Sequence, residues 1–172
     1  MERYEEAWAD IEESAKLLVN ADVPKLAGII AYRRKQLEVS RAKFEESLER
    51  NADDCETGFY LGVVLGDLRT WPRVTDVMGH TAACLQGAEF RLNIEIERIR
   101  SGIDSAERKN RQIARRERQI VANRRMLVTS WFNTAVAHYN LSHAAEARQF
   151  AERVAEDQEF GERAKEILSR LK

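Results

Sequence analysis

Residues that break or turn a chain are scarce here. Eight glycines and two prolines in 172 residues are too few for the many turns of a β-sandwich, and the composition is equally unlike a disordered chain. No apolar run approaches the roughly 20 residues that a membrane-spanning helix needs. The opening Met1-Glu2-Arg3-Tyr4-Glu5-Glu6 is too charged to read as a secretory leader, so a cytoplasmic protein is expected. Two cysteines, Cys55 and Cys84, make no disulfide framework, and free thiols are the first expectation. The histidines are His80, His138 and His143. None stands in a His-Glu-x-x-His spacing, and no Gly-rich phosphate loop exists. The sequence therefore points away from an enzyme and calls for no cofactor and no metal. A net charge of −1 gives no general attraction to nucleic acid or acidic lipid.

What the chain does have is charge and helical periodicity. Charged residues make up 33%, which suits long solvated helices. Tyr4, Trp8, Ile11, Ala15 and Leu18 form one apolar stripe, predicting a helix over 3–20. Asp22 is placed to cap the next helix, with Pro24 in its first turn. Leu26, Ile29, Ile30, Leu37, Phe44 and Leu48 then predict one long helix to about Asn51, because no turn residue interrupts Tyr32 to Ser40. Asp54 caps a third helix over 55–69, and Thr70, before Trp71-Pro72, is read as the next cap. The stripe that follows holds Val74, Met78, Thr81 and Leu85.

That stripe does not stop. Leu92, Ile96, Ile99 and Ile103, then Ile113, Ile120 and Leu127, keep close to the seven-residue spacing of a coiled-coil seam. Two arrangements fit. One is a single helix from about Ala88 to Leu141. The other is an antiparallel hairpin with its tip at Gly102, pairing Ile99 with Ala106, Leu92 with Ile113, Leu85 with Ile120, Met78 with Leu127 and Val74 with Trp131. The hairpin is preferred because it buries both seams without a second chain. Gly87 counts against it, since glycine inside a helix costs roughly 1 kcal/mol relative to alanine. Beyond Leu141, Ser142 is read as the cap of a helix from His143 to about Glu156, and a last helix covers 160–171. The expected architecture is all-α, about seven helices in one domain over 1–172, with a protruding extension over 86–126.

A 34-residue interval separates Gly28 from Gly62, Phe44 from Met78 and Ser47 from Thr81. Around Trp131 stand Thr134-Ala135, His138, the Leu141-Ser142 turn, Ala147, Phe150-Ala151 and Val154. This pattern resembles the tetratricopeptide repeat, in which small residues let paired helices pack closely. The likeness covers 55–88 and 127–160 well. The Pro24 unit keeps Gly28 and Phe44 but lacks a recognisable turn, and 89–126 departs from the pattern. The resemblance implies a non-enzymatic scaffold that takes a peptide or a helix of a protein partner in a groove. On matching positions that groove comprises Phe59, Val63 and Asp67, with Phe132, Val136, Tyr139 and Asn140.

Two further features stay open. From Arg98 to Arg125 ten basic residues face three acidic ones, +7, whereas Met1 to Tyr60 carries −5. Arg108, Lys109, Arg111, Arg115, Arg116 and Arg118 form the basic patch. A solvated coiled-coil exterior is the plain reading, an acidic protein partner the next, and nucleic acid or a membrane surface the last; few aromatics are interleaved for stacking on bases. The extension could instead be an oligomerisation seam, giving a homodimer. Finally, the antiparallel helices that carry Cys55 and Cys84 bring those ends together. A bridge there would place the protein in an oxidising compartment, periplasmic or secreted.

Overall fold

The computed structural model describes residues 2–17 and 20–171, with only the backbone of residues 2, 3, 12 and 15–17. Of the predicted first stripe, Leu18 and the side chain of Ala15 lie outside the described residues. Among them are eight helices and no strand: α1 Glu2–Leu17, α2 Asp22–Arg33, α3 Leu37–Arg50, α4 Cys55–Asp67, α5 Trp71–Ser101, α6 Ala106–Asn140, α7 Ala144–Val154 and α8 Gly161–Arg170. The all-α expectation is met, and among the described residues no helix is long and apolar enough to cross a membrane.

Three antiparallel pairs follow one another: α2 with α3, α4 with α5, and α6 with α7. Each turns through one non-glycine residue in the left-handed region, Lys35 at φ 62°, Arg69 at 56° and Ser142 at 61°. The amide after each reaches back to the helix: Gln36 N–H donates to Ala31 O, Thr70 N–H to Leu65 O and His143 N–H to His138 O, at 2.9, 3.0 and 2.9 Å. Lys35, Arg69 and Ser142 themselves donate to Tyr32, Gly66 and Tyr139. These are three copies of one helix-terminating motif.

The expected long helix over 24–51 is thus two helices. Lys35 carries no turn signal, yet the paired hydrogen bonds and the burial gained on folding α3 back onto α2 hold it in a left-handed conformation. Three predicted caps also change. Asn20 Oδ1, not Asp22, accepts the Asp22 and Val23 amides. Thr70 uses its hydroxyl to donate to Leu65 O, and Ser142 is the left-handed turn residue rather than a cap. Asp54 does cap α4, accepting from the Glu56 and Thr57 amides at 3.1 and 3.2 Å. Leu26, one of the apolar residues that marked this helix, is 50% exposed, on the side of α2 away from the buried Val23, Ala27 and Ala31.

Each turn has a small residue seven positions before it: Gly28, Gly62 and Ala135. A Cβ on Gly28 would stand 2.7 Å from two Phe44 ring carbons, and one on Gly62 would meet the Met78 side chain just as closely. Ala135 and Ala151 are buried together in the third pair. The 34 residues from Lys35 to Arg69 grow to 73 from Arg69 to Ser142. The surplus lies in the distal halves of α5 and α6, which form the protruding hairpin.

That hairpin settles the choice left open above: α5 and α6 run antiparallel through a short turn at 102–105. Its register differs from the predicted one. Arg116, placed opposite Glu89 by a fold about Gly102, pairs with Glu95 at 3.1 Å, and Glu89 takes Arg124 at 2.6 Å. Leu85 clusters with Leu127 rather than Ile120. The turn consumes four residues, which moves the axis of folding beyond Gly102. Sliding by a further turn of helix preserves apolar contact while matching these charges. Ile96 and Ile120 are buried along the seam, so the seven-residue pattern is satisfied within one chain.

Candidate functional site

The helices that open the three pairs stand side by side, with α4 between α2 and α6. Their shared surface is where the predicted groove residues fall. On α4, Phe59 and Val63 are half-buried and Asp67 is exposed. Val63 packs on the core that holds Leu61, Leu65 and Ala137 of α6. Asp67 accepts a 2.9 Å hydrogen bond from the hydroxyl of Tyr32 on α2. Burial and that carboxylate together raise the Tyr32 pKa above its ordinary 10.0.

On α6 the four predicted residues divide. Phe132 is 3% exposed, stacked on Phe160 at 4.7 Å between centroids, with the Arg163 guanidinium over its ring at 4.5 Å. It is a core residue and no open contact, because α8 folds back across this part of α6. Val136 and Tyr139 remain half-buried and Asn140 exposed. Val136 and Tyr139 line a small cleft of about 160 Å³ with Arg163, Glu166, Ile167 and Arg170 of α8.

Tyr32, Gly66 and Tyr139 occupy the same place in successive helices, four residues after Gly28, Gly62 and Ala135. The middle position is a notch: nothing lies within 4 Å of where a Gly66 Cβ would stand. The surface of the opening helices therefore presents two half-buried tyrosines on either side of a bare stretch of α4. Tyr32 and the α8 residues were missed from sequence. The equal spacing from the small residues carried the signal for Tyr32, but the undetected turn at Lys35 concealed it.

A second concavity of about 330 Å³ lies between α3, α4 and α5, walled by Leu48, Gly58, Val77, Thr81 and the Cys55–Cys84 pair. Those cysteines are joined in a disulfide with Cα atoms 5.6 Å apart, which corrects the expectation of free thiols. Asp54, at its edge, binds Lys25 at 3.1 Å, and Lys25 also reaches Glu56 at 2.6 Å. Burial works against both charges, but hydrogen bonds from the Thr57 hydroxyl, Lys25 and the Thr57 amide hold Asp54 below its ordinary 3.8. Burial likewise opposes the Lys25 charge, yet the Glu56 and Asp54 carboxylates keep its pKa raised above 10.5.

The basic patch is largely engaged with its own hairpin. Arg108 pairs with Asp104, Arg111 with Glu107 and Arg116 with Glu95. Lys109 donates to Arg100 O and Arg118 to Ala114 O, which leaves Arg115 exposed on the same helix. Three of the six thus have a carboxylate partner, and the ion pairs are exposed ones of the kind found along a solvated helix. His138, at a packing position, stacks on Phe150 at 5.8 Å. Burial, aided by the nearby His143 and opposed by Glu146, lowers its pKa below 6.5. Among the described residues, no three His, Cys, Asp or Glu side chains gather where they could hold a metal ion.

No family model, curated protein or solved structure matches this chain.

Proposed function

We propose that this protein is a tetratricopeptide-like scaffold, and that the surface of α2, α4 and α6 holds an extended peptide or a helix of a protein partner. The observation that carries the reading is the repetition of one construction. A small residue, a left-handed turn seven residues later and a buried residue sixteen later recur in three successive pairs. The construction lines up the opening helices, and on them Tyr32, Phe59, Val63, Val136 and Tyr139 offer an interrupted apolar surface edged by Asp67 and Asn140. Phe132 supports that surface from beneath. The notch at Gly66 gives a bound backbone room to approach the scaffold.

The Cys55–Cys84 bridge supports an oxidising compartment for the protein, since thiols stay reduced in the cytosol. The ion pairs of Arg108, Arg111 and Arg116 within the hairpin support the solvated-exterior reading.

The test uses the notch. A random peptide library is displayed against the oxidised full chain, and enriched peptides are titrated against variants. Gly66→Phe puts a ring into the notch from a position where the added Cβ meets nothing within 4 Å, so the fold and thermal midpoint should persist while affinity falls at least tenfold, about 1.4 kcal/mol. Tyr139→Ala should weaken the same peptides. Failure to enrich peptides, or enriched peptides that bind Gly66→Phe as well as the parent, would refute the groove.

A further inference from the structure

The protruding hairpin buries its seam, yet it leaves large apolar side chains in water on its other side. Phe90 is 67% and Ile94 38% exposed. Both lie on the outward face of α5, roughly opposite Leu92 and Ile96 of the seam. Followed back toward the body of the protein, the same face reads Gly87, Ala83, His80 and Asp76, at alternating spacings of three and four residues. Followed outward, it reads Glu97 and Ser101, with Arg98 beside them. Phe90, Ile94, Glu97 and Arg98 line a shallow depression, and Asp76 and His80 edge the apolar cleft next to the disulfide.

This face is lopsided in two respects. Its distal half is bulky and its proximal half small. Gly87 has only the end of Arg91 near the place of a Cβ, at 3.4 Å, so no packing within the chain explains a glycine in mid-helix, where it costs about 1 kcal/mol. The charges are lopsided too. Asp76 and Arg98, at opposite ends, are exposed. Around them residues 98–125 sum to +7, and residues 1–60 to −5.

We propose that the outward face of α5 binds a second copy of this chain, antiparallel, about a two-fold axis passing near residues 88 and 89. A face with Phe90 and Ile94 on one side of its midpoint and Gly87 and Ala83 on the other, flanked by Arg98 at the first end and Asp76 at the second, complements itself only when reversed. In this register Phe90 of one copy enters the gap at Gly87 of the other, and Ile94 rests on Ala83. Glu97 faces His80, and Arg98 comes within one helical turn of Asp76. The two-fold repeats each contact, as an isologous interface requires. The paired length from Asp76 to Ser101 is about 38 Å at 1.5 Å per residue. Each hairpin then carries its positive charge over the negative body of its partner. The seam residues Ile113 and Ile120 take no part, since they serve the hairpin itself. The inference is independent of the peptide groove, which lies on the opening helices.

Sedimentation velocity on the oxidised full chain, from low micromolar to hundreds of micromolar, tests it. A monomer–dimer equilibrium is expected. Phe90→Arg should raise the dissociation constant at least tenfold. Gly87→Leu should do the same while leaving the helical circular dichroism of the monomer unchanged. Arg98→Asp and Asp76→Arg should each weaken the dimer, and the double swap should restore part of the loss, which a merely misfolded variant would not do. A chain that stays monomeric throughout, or a dimer indifferent to Phe90→Arg and to the charge swap, would overturn the proposal.

Discussion

The ring of Phe44 lies against the Cα of Gly28, so that an added methyl group would sit 2.7 Å from two of its carbons. Phe44 is fully buried and stacked on Tyr60, which leaves it no room to retreat. Gly28→Ala is therefore expected to destabilise the fold by about 1–3 kcal/mol through overpacking. Gly79→Ala, where nothing lies within 4 Å, should instead stabilise it by roughly 0.5–1 kcal/mol. Urea titrations of the two variants should move in opposite directions. Equal shifts would mean that the close approach of α2 and α3 is not what the glycine provides.

The contact between Gly28 and Phe44 also shows how far the sequence could be read. The 34-residue interval between Gly28 and Gly62 was plain, and so was the alternation of apolar stripes that makes the protein all-α. The break at Lys35 was not. A lysine in the left-handed region has no local signature, and only the packing of α3 on α2 selects it. The register of the long hairpin was obscured for a related reason. A seven-residue stripe fixes which faces meet but permits slippage by a turn, and the choice fell to Glu89 with Arg124 and Glu95 with Arg116. Phe132 was read as an open groove residue because the return of α8 depends on Phe160, far along the chain.

The three left-handed turn residues invite a direct test. A side chain in this conformation costs about 1–2 kcal/mol relative to the right-handed one, and glycine avoids that cost while losing more freedom on folding. The net expectation for Lys35→Gly, Arg69→Gly or Ser142→Gly is stabilisation of about 0.5–1 kcal/mol, similar at all three places. Thermal melts would check it. A loss at one turn alone would show that its side chain makes a contact of its own worth more than the strain.

Asp54 ties α4 to α2. Its pKa is depressed in the folded protein, so its contribution is complete above the unfolded value near 3.9 and disappears as pH falls through the lower folded value. Acid, and not mild alkali, should weaken this joint. Asp54→Ala is expected to cost about 1 kcal/mol near neutral pH from the cap alone and to flatten the stability profile on the acid side. Urea midpoints measured from pH 6 down to pH 2.5 would show the parent and variant curves converging. Curves that stay parallel would place the acid sensitivity elsewhere.

Reduction of the Cys55–Cys84 bond should be felt globally. The bridge spans 29 residues and ties the start of α4 to the middle of α5, so it restricts the unfolded chain. About 2–4 kcal/mol is the usual scale for such a link. Unfolding with and without a thiol reductant gives the difference directly, and alkylation followed by mass measurement confirms the redox state. Reduced protein of unchanged stability would indicate that the helix pair is held by packing alone.

Ile120 separates the two readings of the long hairpin. It is buried between α5 and α6 of the same chain, in company with Ile96. A seam between two chains would need it exposed in the monomer. Charging it, as in Ile120→Asp, should therefore act inside one molecule, at the scale of about 2–5 kcal/mol expected for loss of a buried aliphatic side chain. The damage should be local, because the body of the protein is held by separate clusters around Phe44 and Phe132. Hydrogen exchange offers the discriminating measurement. In the Phe90→Arg background, which removes the proposed pairing of α5 faces, amides over 89–120 should lose protection in the variant while those of α2 to α4 keep theirs, and the effect should not depend on protein concentration. If protection fell only on dilution, the stripe would belong to an interface between chains and the intramolecular pairing of Glu89 with Arg124 would be wrong.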